Sequence, residues 1–308
     1  MNLDPNKKYF FAISDIHSFA SQMIESLKLA GFDKKNKNHT LIVCGDIFDR
    51  GHETLKVYKY LKSIPKSRCI LIKGNHESLY LELLEKDFPD NYDFSNGTVR
   101  TFCEIAGIDE NALTSYYWML KLGAWDPNKD IEAIWNEIDS RKEAVWDNIQ
   151  HIVKNHEITK WLKSSRWIDY LELNDYIFVH SFIPVKNIDE LPHYCVENRS
   201  QTEFLNWRIA ATSDDWEDAR WGCPWRQYKA GLFNNEIKNN RILVCGHWHT
   251  SDFHKVFEND VSNNFNIYYG KNLIALDACT ALSRDVNVLI IDQAQKCYDK
   301  YGNRLIIK

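Results

Sequence analysis

The chain has 308 residues, of which 26% are charged, and its formal net charge is −5 at pH 7. This length fits one large α/β domain with an insertion, or two domains that share an interface. The slightly acidic balance, without a Lys- or Arg-rich tail, argues against general nucleic-acid binding. Because no stretch has the length and apolarity of a membrane span, we also expect no membrane partner.

The N-terminal segment and the cysteines indicate the cellular compartment in which we expect the protein. The run YFFAI after the first lysines is typical of a first strand rather than of the apolar core of a signal peptide. The eight cysteines form no CxxC pair. Cys44 and Cys245 lie within apolar, strand-like runs, which favours buried thiols over disulfides. We therefore expect a reducing, cytoplasmic location.

Short apolar runs alternate with amphipathic segments in the first third of the chain. YFFAI, TLIVC and CILI are predicted strands, and FASQMIESLKLAG and ETLKVYKYLKSI between them are predicted helices. This order predicts a βαβαβ unit. Asp15, Asp46 and Asn75 follow the carboxyl ends of the three strands, where open α/β sheets place their functional loops.

Residues from about 85 to 168 interrupt this alternation. The segment IEAIWNEIDSRKEAVWDNIQHIVKNHEITKWL repeats apolar residues at intervals of three or four, as amphipathic helices do. We interpret this stretch as a helical insertion beside the functional site, within a single domain that spans residues 1–308. Its tryptophans are expected to pack between the helices rather than to stack on bases. They are Trp118, Trp125, Trp135, Trp146, Trp161 and Trp167.

The last third of the chain combines polar loops with apolar runs. An aromatic segment, DDWEDARWGCPWRQY, carries Arg220 and Arg226, and Arg208 lies shortly before it. The Asn-rich stretches 234–240 and 259–266 predict surface loops. The runs LIALDACTAL and VNVLIID predict a closing pair of strands.

Five short motifs place metal-binding or phosphate-binding residue types at the ends of apolar runs. They are SDIHS at Asp15 and His17, CGDIFDRG at residues 44–51, KGNHE at Asn75 and His76, FVHS at His180, and CGHWHT at His247 and His249. A pair of divalent ions about 3.5–4 Å apart needs a mixed shell of carboxylate, amide and imidazole ligands around a shared carboxylate. The motifs supply that inventory, and together they are far more specific than any one alone.

The order and spacing of these motifs resemble the calcineurin-like metallophosphoesterase superfamily. The linked GD-x-x-DRG and GNHE motifs resemble its branch of Ser/Thr protein phosphatases, phage-type phosphatases and diadenosine tetraphosphatases. The resemblance covers residues 9–80, 174–184 and 240–292. It implies an α/β sandwich of two facing mixed sheets flanked by helices. The pattern is mixed, because the protein phosphatase branch often lacks the last histidine of the GHxH motif present here.

The resemblance implies two divalent metal ions held by seven side chains. The implied ligands are Asp15, His17 and His249 for the first ion, Asn75, His180 and His247 for the second, and Asp46 as the bridge between them. Manganese is the usual supplement for this branch. Iron and zinc also suit carboxylate, amide and imidazole ligands.

The same resemblance implies catalytic roles for three residues beside the ligands. His76 would donate a proton to the leaving group, with Asp49 orienting its imidazole. Arg50 would bind the phosphoryl group, because its planar guanidinium can donate two hydrogen bonds at once.

Three further residues are assigned from their positions in the chain. Lys73 precedes GNHE, where the protein phosphatases often have an arginine. Arg220 is chosen over Arg208 and Arg226 as a second phosphate-binding residue, although no spacing rule fixes that choice. Asp277, near the closing strands, is expected to cap a loop rather than to steady a ligand histidine.

These residues predict a dinuclear metal-dependent phosphoesterase. Its substrate would be a phosphomonoester, of a phosphoprotein or a small compound, attacked in line by a metal-bridging hydroxide without a covalent phosphoenzyme. A dinucleoside polyphosphate hydrolase is the alternative, and a nuclease is disfavoured by the charge balance. A non-catalytic scaffold is a remote alternative, because scaffolds of this kind lose ligands or the catalytic histidine. The sequence leaves the substrate, the resident metals and the oligomeric state open.

Overall fold

The computed structural model describes residues 3–122, 130–189, 200–204 and 206–306. Its strands are Tyr9–Ile13 (β1), His39–Cys44 (β2), Cys69–Ile72 (β3), Trp167–Ile168 (β4), Leu171–Leu173 (β5), Tyr176–Phe178 (β6), Val185–Asn187 (β7), Gln201–Glu203 (β8), Ile242–Cys245 (β9), Tyr268–Gly270 (β10), Leu273–Ala275 (β11), Leu289–Asp292 (β12), Cys297–Tyr298 (β13) and Arg304–Leu305 (β14).

The α-helices are Ala20–Leu29 (α1), Thr54–Lys62 (α2), Asn75–Leu83 (α3), Asn91–Asn96 (α4), Thr98–Ala106 (α5), Ser115–Leu122 (α6), Ile131–Asn155 (α7), Glu157–Leu162 (α8), Trp207–Ala210 (α9), Ser213–Arg220 (α10), Pro224–Lys229 (α11), Asn234–Lys238 (α12), Thr250–Glu258 (α13) and Thr280–Ser283 (α14). Two short 3₁₀ helices span Lys66–Arg68 and Glu110–Leu113. Among these helices, none combines the length and apolarity needed to cross a bilayer.

The first three strands form the predicted βαβαβ unit. β1 pairs in parallel with β2, which places Tyr9 opposite His39, and β2 pairs in parallel with β3, which places Leu41 opposite Cys69. Parallel neighbours need a crossover connection, and α1 and α2 provide the two crossovers. Each of these helices buries one face in the core. The alternation of apolar runs and amphipathic segments therefore predicted this unit correctly.

Two mixed sheets face each other across an apolar layer. One has seven strands in the order β14-β13-β12-β1-β2-β3-β4, and the other has five in the order β10-β11-β9-β6-β5. The layer between them contains Ala12, Ile42 and Ile72 from the first sheet and Phe178, Val244 and Ile274 from the second. Separate buried clusters lie on the outer faces, under the helices. This is the expected α/β sandwich.

The two apolar runs near the C-terminus do not pair with each other. The run 273–282 supplies β11, which is parallel to β9 in the five-stranded sheet, whereas the run 286–292 supplies β12, which is antiparallel to β1 in the seven-stranded sheet. The prediction of a closing pair is therefore wrong, because an apolar run indicates burial and not the identity of the neighbouring strand. Each strand completes a different sheet.

The predicted surface loops are half right. The stretch 259–266 contains neither helix nor strand, as expected, but residues 234–238 form α12. Asparagine composition favours loops only weakly. The buried Phe233 immediately before α12 holds the segment against the core of the five-stranded sheet.

Helices α4 to α8 fall within the region predicted as a helical insertion. They pack on the outer face of the seven-stranded sheet, because Phe102, Trp146 and Val153 belong to the same buried cluster as Phe11 and Leu41 of β1 and β2. This shared cluster supports the prediction that the insertion belongs to one domain with the sheets. The boundary near residue 168 is a strand, β4, at the edge of the seven-stranded sheet.

The tryptophans of the insertion divide between core and surface. Trp146 is fully buried and stacks on Phe102, with ring centroids 5.8 Å apart and planes inclined by 12°. Trp161 is also buried and packs edge-on against Tyr58 at 5.3 Å. Trp118 and Trp167 are half-buried, Trp135 is exposed, and Trp125 lies outside the described residues. Core packing is therefore the correct prediction for Trp146 and Trp161 and the wrong one for Trp135.

We predict that Trp146→Ala lowers the free energy of unfolding by about 3–5 kcal/mol, the range for truncating a buried aromatic side chain. The indole N–H of Trp146 also donates to the Lys86 carbonyl at 3.2 Å. Chemical denaturation, followed by circular dichroism and by fluorescence, measures the change. Both signals should give one coincident transition, since the insertion and the sheet share a core.

Trp135→Ala is the matched control, because this tryptophan of the same helix is 41% exposed. Trp135→Ala should change the free energy of unfolding by no more than about 0.5 kcal/mol. A separate, earlier transition of the helical signal in the unsubstituted protein would contradict the single-domain prediction.

Candidate active site

The motif residues follow the ends of five strands, in loops or, for Asn75 and His76, at the start of α3, at one edge of the two sheets. Asp15, Asp46 and Asn75 follow β1, β2 and β3, and His180 and His247 follow β6 and β9. The chain turns sharply after these strands, with φ of 50° at Asp15, 53° at Asp46 and 66° at His247. Non-glycine residues in the left-handed region cost free energy, so a concentration of them is typical of a functional site.

Two tight clusters of ligand atoms share the Asp46 carboxylate. In the described part of the chain, His17, Asp46 and His76 form one cluster, and Asp46, His180 and His247 form the other, each with its atoms within 4.8 Å of one another. His247 is half-buried and the others are buried. A carboxylate shared by two clusters is what a dinuclear metal site requires. His76, predicted as the proton donor, lies inside the first cluster.

Main-chain carbonyls fix the orientation of two predicted ligand histidines. His180 donates from Nδ1 to the Cys44 carbonyl at 2.8 Å, and His17 donates from Nδ1 to the Phe48 carbonyl at 3.1 Å. Each Nε2 then keeps its lone pair. The Nε2 atoms of His180 and His17 lie 3.3 Å and 3.8 Å from oxygens of Asp46. Hydrogen bonds of this kind set the tautomer of metal-ligating histidines.

Asn75 places its side-chain oxygen among other lone pairs. That position lies 2.8 Å from His180 Nε2, 3.0 Å from His247 Nδ1 and 3.3 Å from both Asp46 oxygens. Hydrogen bonding alone would turn the amide to present its NH₂ group there. A divalent cation satisfies the same atoms with the amide oxygen as a ligand, which is the role predicted for Asn75. The residues present thus fit a metal ion.

Two glycines allow the ligand loops to approach each other. A Cβ atom on Gly74 would lie 2.3 Å from Asp46 Oδ1, and one on Gly246 would lie 2.2 Å from Asp15 Oδ2. Any larger residue would push these carboxylates out of position.

The protonation states also suit metal binding. Burial opposes ionisation of Asp46, but His180, His76 and His17 around it hold its pKa well below the usual range. Burial, followed by the charges of Arg50 and His76, holds the pKa of His17 well below its ordinary value. Near neutral pH the carboxylate is therefore ionised and the imidazole neutral, which are the forms that coordinate metal.

Asp15 and His249 belong to neither of the two clusters. Asp15 Oδ2 accepts the backbone N–H of His247 at 3.0 Å, which connects the loops after β1 and β9. Burial, followed by the nearby Asp277 and Asp46, raises the pKa of Asp15 well above its ordinary value. The His249 ring lies edge-on to Phe265 at 6.4 Å. The ligand roles of both residues stay predictions.

Asp277 caps a turn, as the sequence suggested. Its Oδ1 accepts the backbone N–H of Cys279 at 2.7 Å. Burial raises the pKa of Asp277, while the nearby His249 lowers it. The histidine that we considered as its other partner therefore lies within electrostatic range of the carboxylate.

The predicted proton donor is held by three neighbours. His76 donates from Nδ1 to Asp49 Oδ2 at 2.7 Å and from its backbone N–H to Asp46 Oδ1 at 3.0 Å. Arg50 donates from Nη2 to Nε2 of His76 at 3.4 Å when the ring is neutral. Burial lowers the pKa of His76, but Asp46 and Asp49 outweigh it and the pKa is above its ordinary value. This favours the imidazolium form that can donate a proton.

Arg220 lies among carboxylates. It donates from Nη2 to Asp169 Oδ1 and from Nη1 to Glu217 Oε2, both at 2.5 Å, and it is buried. Burial, followed by the charge of Arg220, lowers the pKa of Lys73, so Lys73 lies within electrostatic range of Arg220. Binding of a phosphoryl group by Arg220 requires it to leave these partners, and that role stays a prediction.

Sequence reasoning missed the role of Glu77. Its buried carboxylate accepts the backbone N–H groups of Gly74 at 2.7 Å, Asp46 at 3.0 Å and Ile47 at 3.0 Å. Glu77 thus joins the loops after β2 and β3, and its place in the GNHE motif was the available signal.

Three residues outside the motifs were also missed. Trp221 lies edge-on to His247, with ring centroids 6.1 Å apart. Thr98 and Thr101 donate hydrogen bonds to Asp49 at 2.8 Å and 2.7 Å. The sequence marks Trp221 only as part of the aromatic segment DDWEDARWGCPWRQY, and it does not mark the threonines, because they are remote in the chain from the motif that they contact.

The fold and the site together define a phosphoesterase with a candidate centre for divalent metal. The model of the calcineurin-like phosphoesterase family matches residues 9–251, so the chain belongs to this family. It is a hydrolase of phosphoric esters, and the family implies divalent metal ions, for which the Asp and His clusters are suited.

Similar proteins agree with this assignment. A symmetrical bis(5'-nucleosyl)-tetraphosphatase of Coxiella burnetii is 23% identical over 257 residues, which cover 77% of each chain. The crystal structure of a cold-active protein-tyrosine phosphatase of a psychrophilic Shewanella species is 16% identical, has a TM-score of 0.51 and covers 98% of this chain and 81% of its own. A mutant cold-active protein tyrosine phosphatase matches over the same shares with a TM-score of 0.52. At such identities the structural matches show the fold alone.

We predict that Asp46→Asn loses metal from both clusters, because its carboxylate is common to them. Protein loaded with manganese and desalted should retain about two ions per chain, as a dinuclear centre requires, and the variant well under one. Inductively coupled plasma mass spectrometry measures the content. His52→Asn, which changes an exposed histidine outside both clusters, should leave it unaltered. One ion in the unsubstituted protein, or full loading of Asp46→Asn, contradicts the shared-carboxylate arrangement.

Proposed function

We propose that this protein is a dinuclear metal-dependent phosphoesterase that hydrolyses phosphomonoesters. One observation carries the proposal: two clusters share Asp46 at one edge of the sheets, and His76 of the first cluster contacts both Asp49 and the Arg50 guanidinium. Two divalent ions bound there would activate a water molecule and neutralise charge on the phosphoryl group. Manganese is the first candidate, with iron and zinc as alternatives.

Arg50 binds the phosphoryl oxygens in this scheme. Its guanidinium offers several N–H donors in one plane, which matches the geometry of a phosphoryl group. The main chain of Arg50 is held in place, because its carbonyl accepts Nη1 of Arg100 at 3.1 Å. The side chain therefore extends from a fixed point toward His76.

His76 protonates the leaving oxygen from Nε2. Its Nδ1–H is engaged by Asp49, which leaves Nε2 as the position that exchanges a proton with substrate. Nε2 lies 3.9 Å from Asp46 Oδ2 and 3.4 Å from Arg50 Nη2. It thus stands between the shared carboxylate and the phosphoryl-binding guanidinium, where a departing alkoxide can be reached.

A dinucleoside polyphosphate hydrolase is the second candidate, and two observations favour it. The Coxiella burnetii relative carries that activity in its name. The Trp221 ring lies beside His247, and Tyr92 lies 6.5 Å from Trp221. Aromatic rings beside a phosphate-cleaving centre are suited to stacking on bases. We place this candidate second because 23% identity does not transfer a substrate.

We predict that His76→Asn lowers kcat on phenyl phosphate by about 10²–10⁴-fold, the usual contribution of general acid catalysis. The loss should be much smaller on p-nitrophenyl phosphate, because nitrophenolate departs without protonation. Steady-state kinetics on the manganese-loaded protein, with metal analysis of the same samples, measures both effects. Equal losses on the two esters, or loss of metal from the variant, contradicts proton donation by His76.

A substrate panel separates the two candidate functions. We predict a higher kcat/KM for a phosphopeptide and p-nitrophenyl phosphate than for bis-p-nitrophenyl phosphate or diadenosine tetraphosphate. The phosphorus of a monoester presents two ionisable oxygens to Arg50, whereas each phosphorus of a diester or of an internal polyphosphate group presents one. Trp221→Ala should then change the monoester rates little. A dominant rate on diadenosine tetraphosphate, with a KM that rises selectively in Trp221→Ala, establishes the second candidate instead.

A further inference from the structure

We propose that Thr98 and Thr101, in the first turn of α5, are positioning residues for Asp49 and, through it, for the proton donor His76. The inference rests on the acid role proposed for His76. It goes beyond that role, because it makes the helical insertion a working part of the catalytic machinery rather than a neighbouring element.

The Asp49 carboxylate is fully buried and accepts three side-chain hydrogen bonds. Oδ2 accepts from His76 Nδ1 at 2.7 Å and from the Thr98 hydroxyl at 2.8 Å, and Oδ1 accepts from the Thr101 hydroxyl at 2.7 Å. A buried carboxylate needs such donors, because water is excluded. Since both oxygens are engaged, the group cannot rotate without breaking a hydrogen bond.

The Thr101 hydroxyl also fixes the main chain of Asp49. It accepts the backbone N–H of Asp49 at 3.0 Å. With that lone pair occupied, the single hydroxyl proton is directed to Asp49 Oδ1. Asp49 has φ of 73°, a left-handed conformation that a non-glycine residue adopts only when its surroundings impose it. Thr101 is one of the groups that impose it.

The start of α5 is built for this contact. Thr98 and Thr101 are three residues apart, which places them on the same face of the helix, and both are fully buried. Gly97 precedes them with φ of 82°, and a Cβ atom on it would lie 2.5 Å from the backbone nitrogen of Arg50. Arg100 in the same turn donates to the Arg50 carbonyl at 3.1 Å. One helical turn therefore packs against both the orienting carboxylate and the phosphoryl-binding residue.

The consequence for catalysis follows from geometry. Proton transfer depends on the direction of the imidazole, and a carboxylate held on both oxygens gives His76 one orientation. Removal of the Thr101 hydroxyl frees Oδ1 of Asp49, and removal of the Thr98 hydroxyl leaves His76 as the side-chain donor to Oδ2. Neither threonine contacts the second ligand cluster, Asp46, His180 and His247, in the hydrogen bonds described above. The expected defect is thus confined to the protonation step.

The experiment replaces each threonine by valine, which has the same shape without the hydroxyl, in the full-length, manganese-loaded protein. We expect Thr101→Val and Thr98→Val to lower kcat on phenyl phosphate by about tenfold or more, the effect of one lost hydrogen bond to a charged group. The loss on p-nitrophenyl phosphate should be smaller, with KM and metal content unchanged. Thr101→Ser, which keeps the hydroxyl, should restore kcat. In the Asp49→Asn background, Thr101→Val should add little.

Thr159→Val is the matched control. Thr159 is a buried threonine of the same insertion, and its hydroxyl donates to the Val153 carbonyl at 2.6 Å instead of to Asp49. It should lower the melting temperature and leave the dependence on leaving group unaltered.

Three results overturn the proposal. They are equal losses of kcat on both esters, failure of serine to restore activity, and a Thr101→Val profile that matches that of Thr159→Val. If His76→Asn lowers kcat equally on phenyl phosphate and p-nitrophenyl phosphate, His76 is not the proton donor. The inference about the threonines then fails because its premise fails, whatever the threonine variants show.

Discussion

The buried carboxylate of Asp46 is the group around which the structure is organised. The Nε2 atoms of His17 and His180 face it at 3.8 Å and 3.3 Å, and the Asn75 oxygen lies 3.3 Å away. Burial of so many lone pairs opposes folding unless a cation or donors satisfy them. The sheets, crossover helices and packing of the insertion stabilise the fold against this cost, and metal binding to the folded state would add to its stability.

The sequence predicts the fold best where apolar periodicity and the ligand motifs coincide. β1, β2 and β3 each end just before a motif residue, so their existence, order and parallel direction could be inferred together. The pairing of β11 and β12 could not, because burial on both faces makes an apolar run equally suited to either sheet. Residues 234–238 are a second example of a segment whose structure the sequence does not reveal. They are polar and were predicted as a loop, but they form a helix next to the buried Phe233.

The residues of the candidate site, too, can be predicted from the sequence only in part. Asp46, Asn75 and His76 lie in short motifs whose spacing carries information, and the structure brings them together. Arg220 was selected as an arginine that follows the His180 strand, without a spacing rule that separates it from Arg208 and Arg226. The sequence shows that Arg220 is charged, but it does not show that Arg220 forms ion pairs with Asp169 and Glu217. The threonines on Asp49 come from 49 and 52 residues away in the chain, and only the folded structure shows that contact.

The two sides of the site are supported by different parts of the molecule. The histidines His17 and His180 are oriented by main-chain carbonyls in and beside the strand-end loops, which belong to the sheets. His76, the proposed proton donor, is hydrogen-bonded to Asp49, which accepts hydrogen bonds from α5, the helix whose Phe102 stacks on Trp146 of the insertion. Changes in the packing of the insertion are therefore expected to reach His76 through Asp49, and His17 through Phe48, whose ring lies 6.2 Å from that of Trp161 in the insertion.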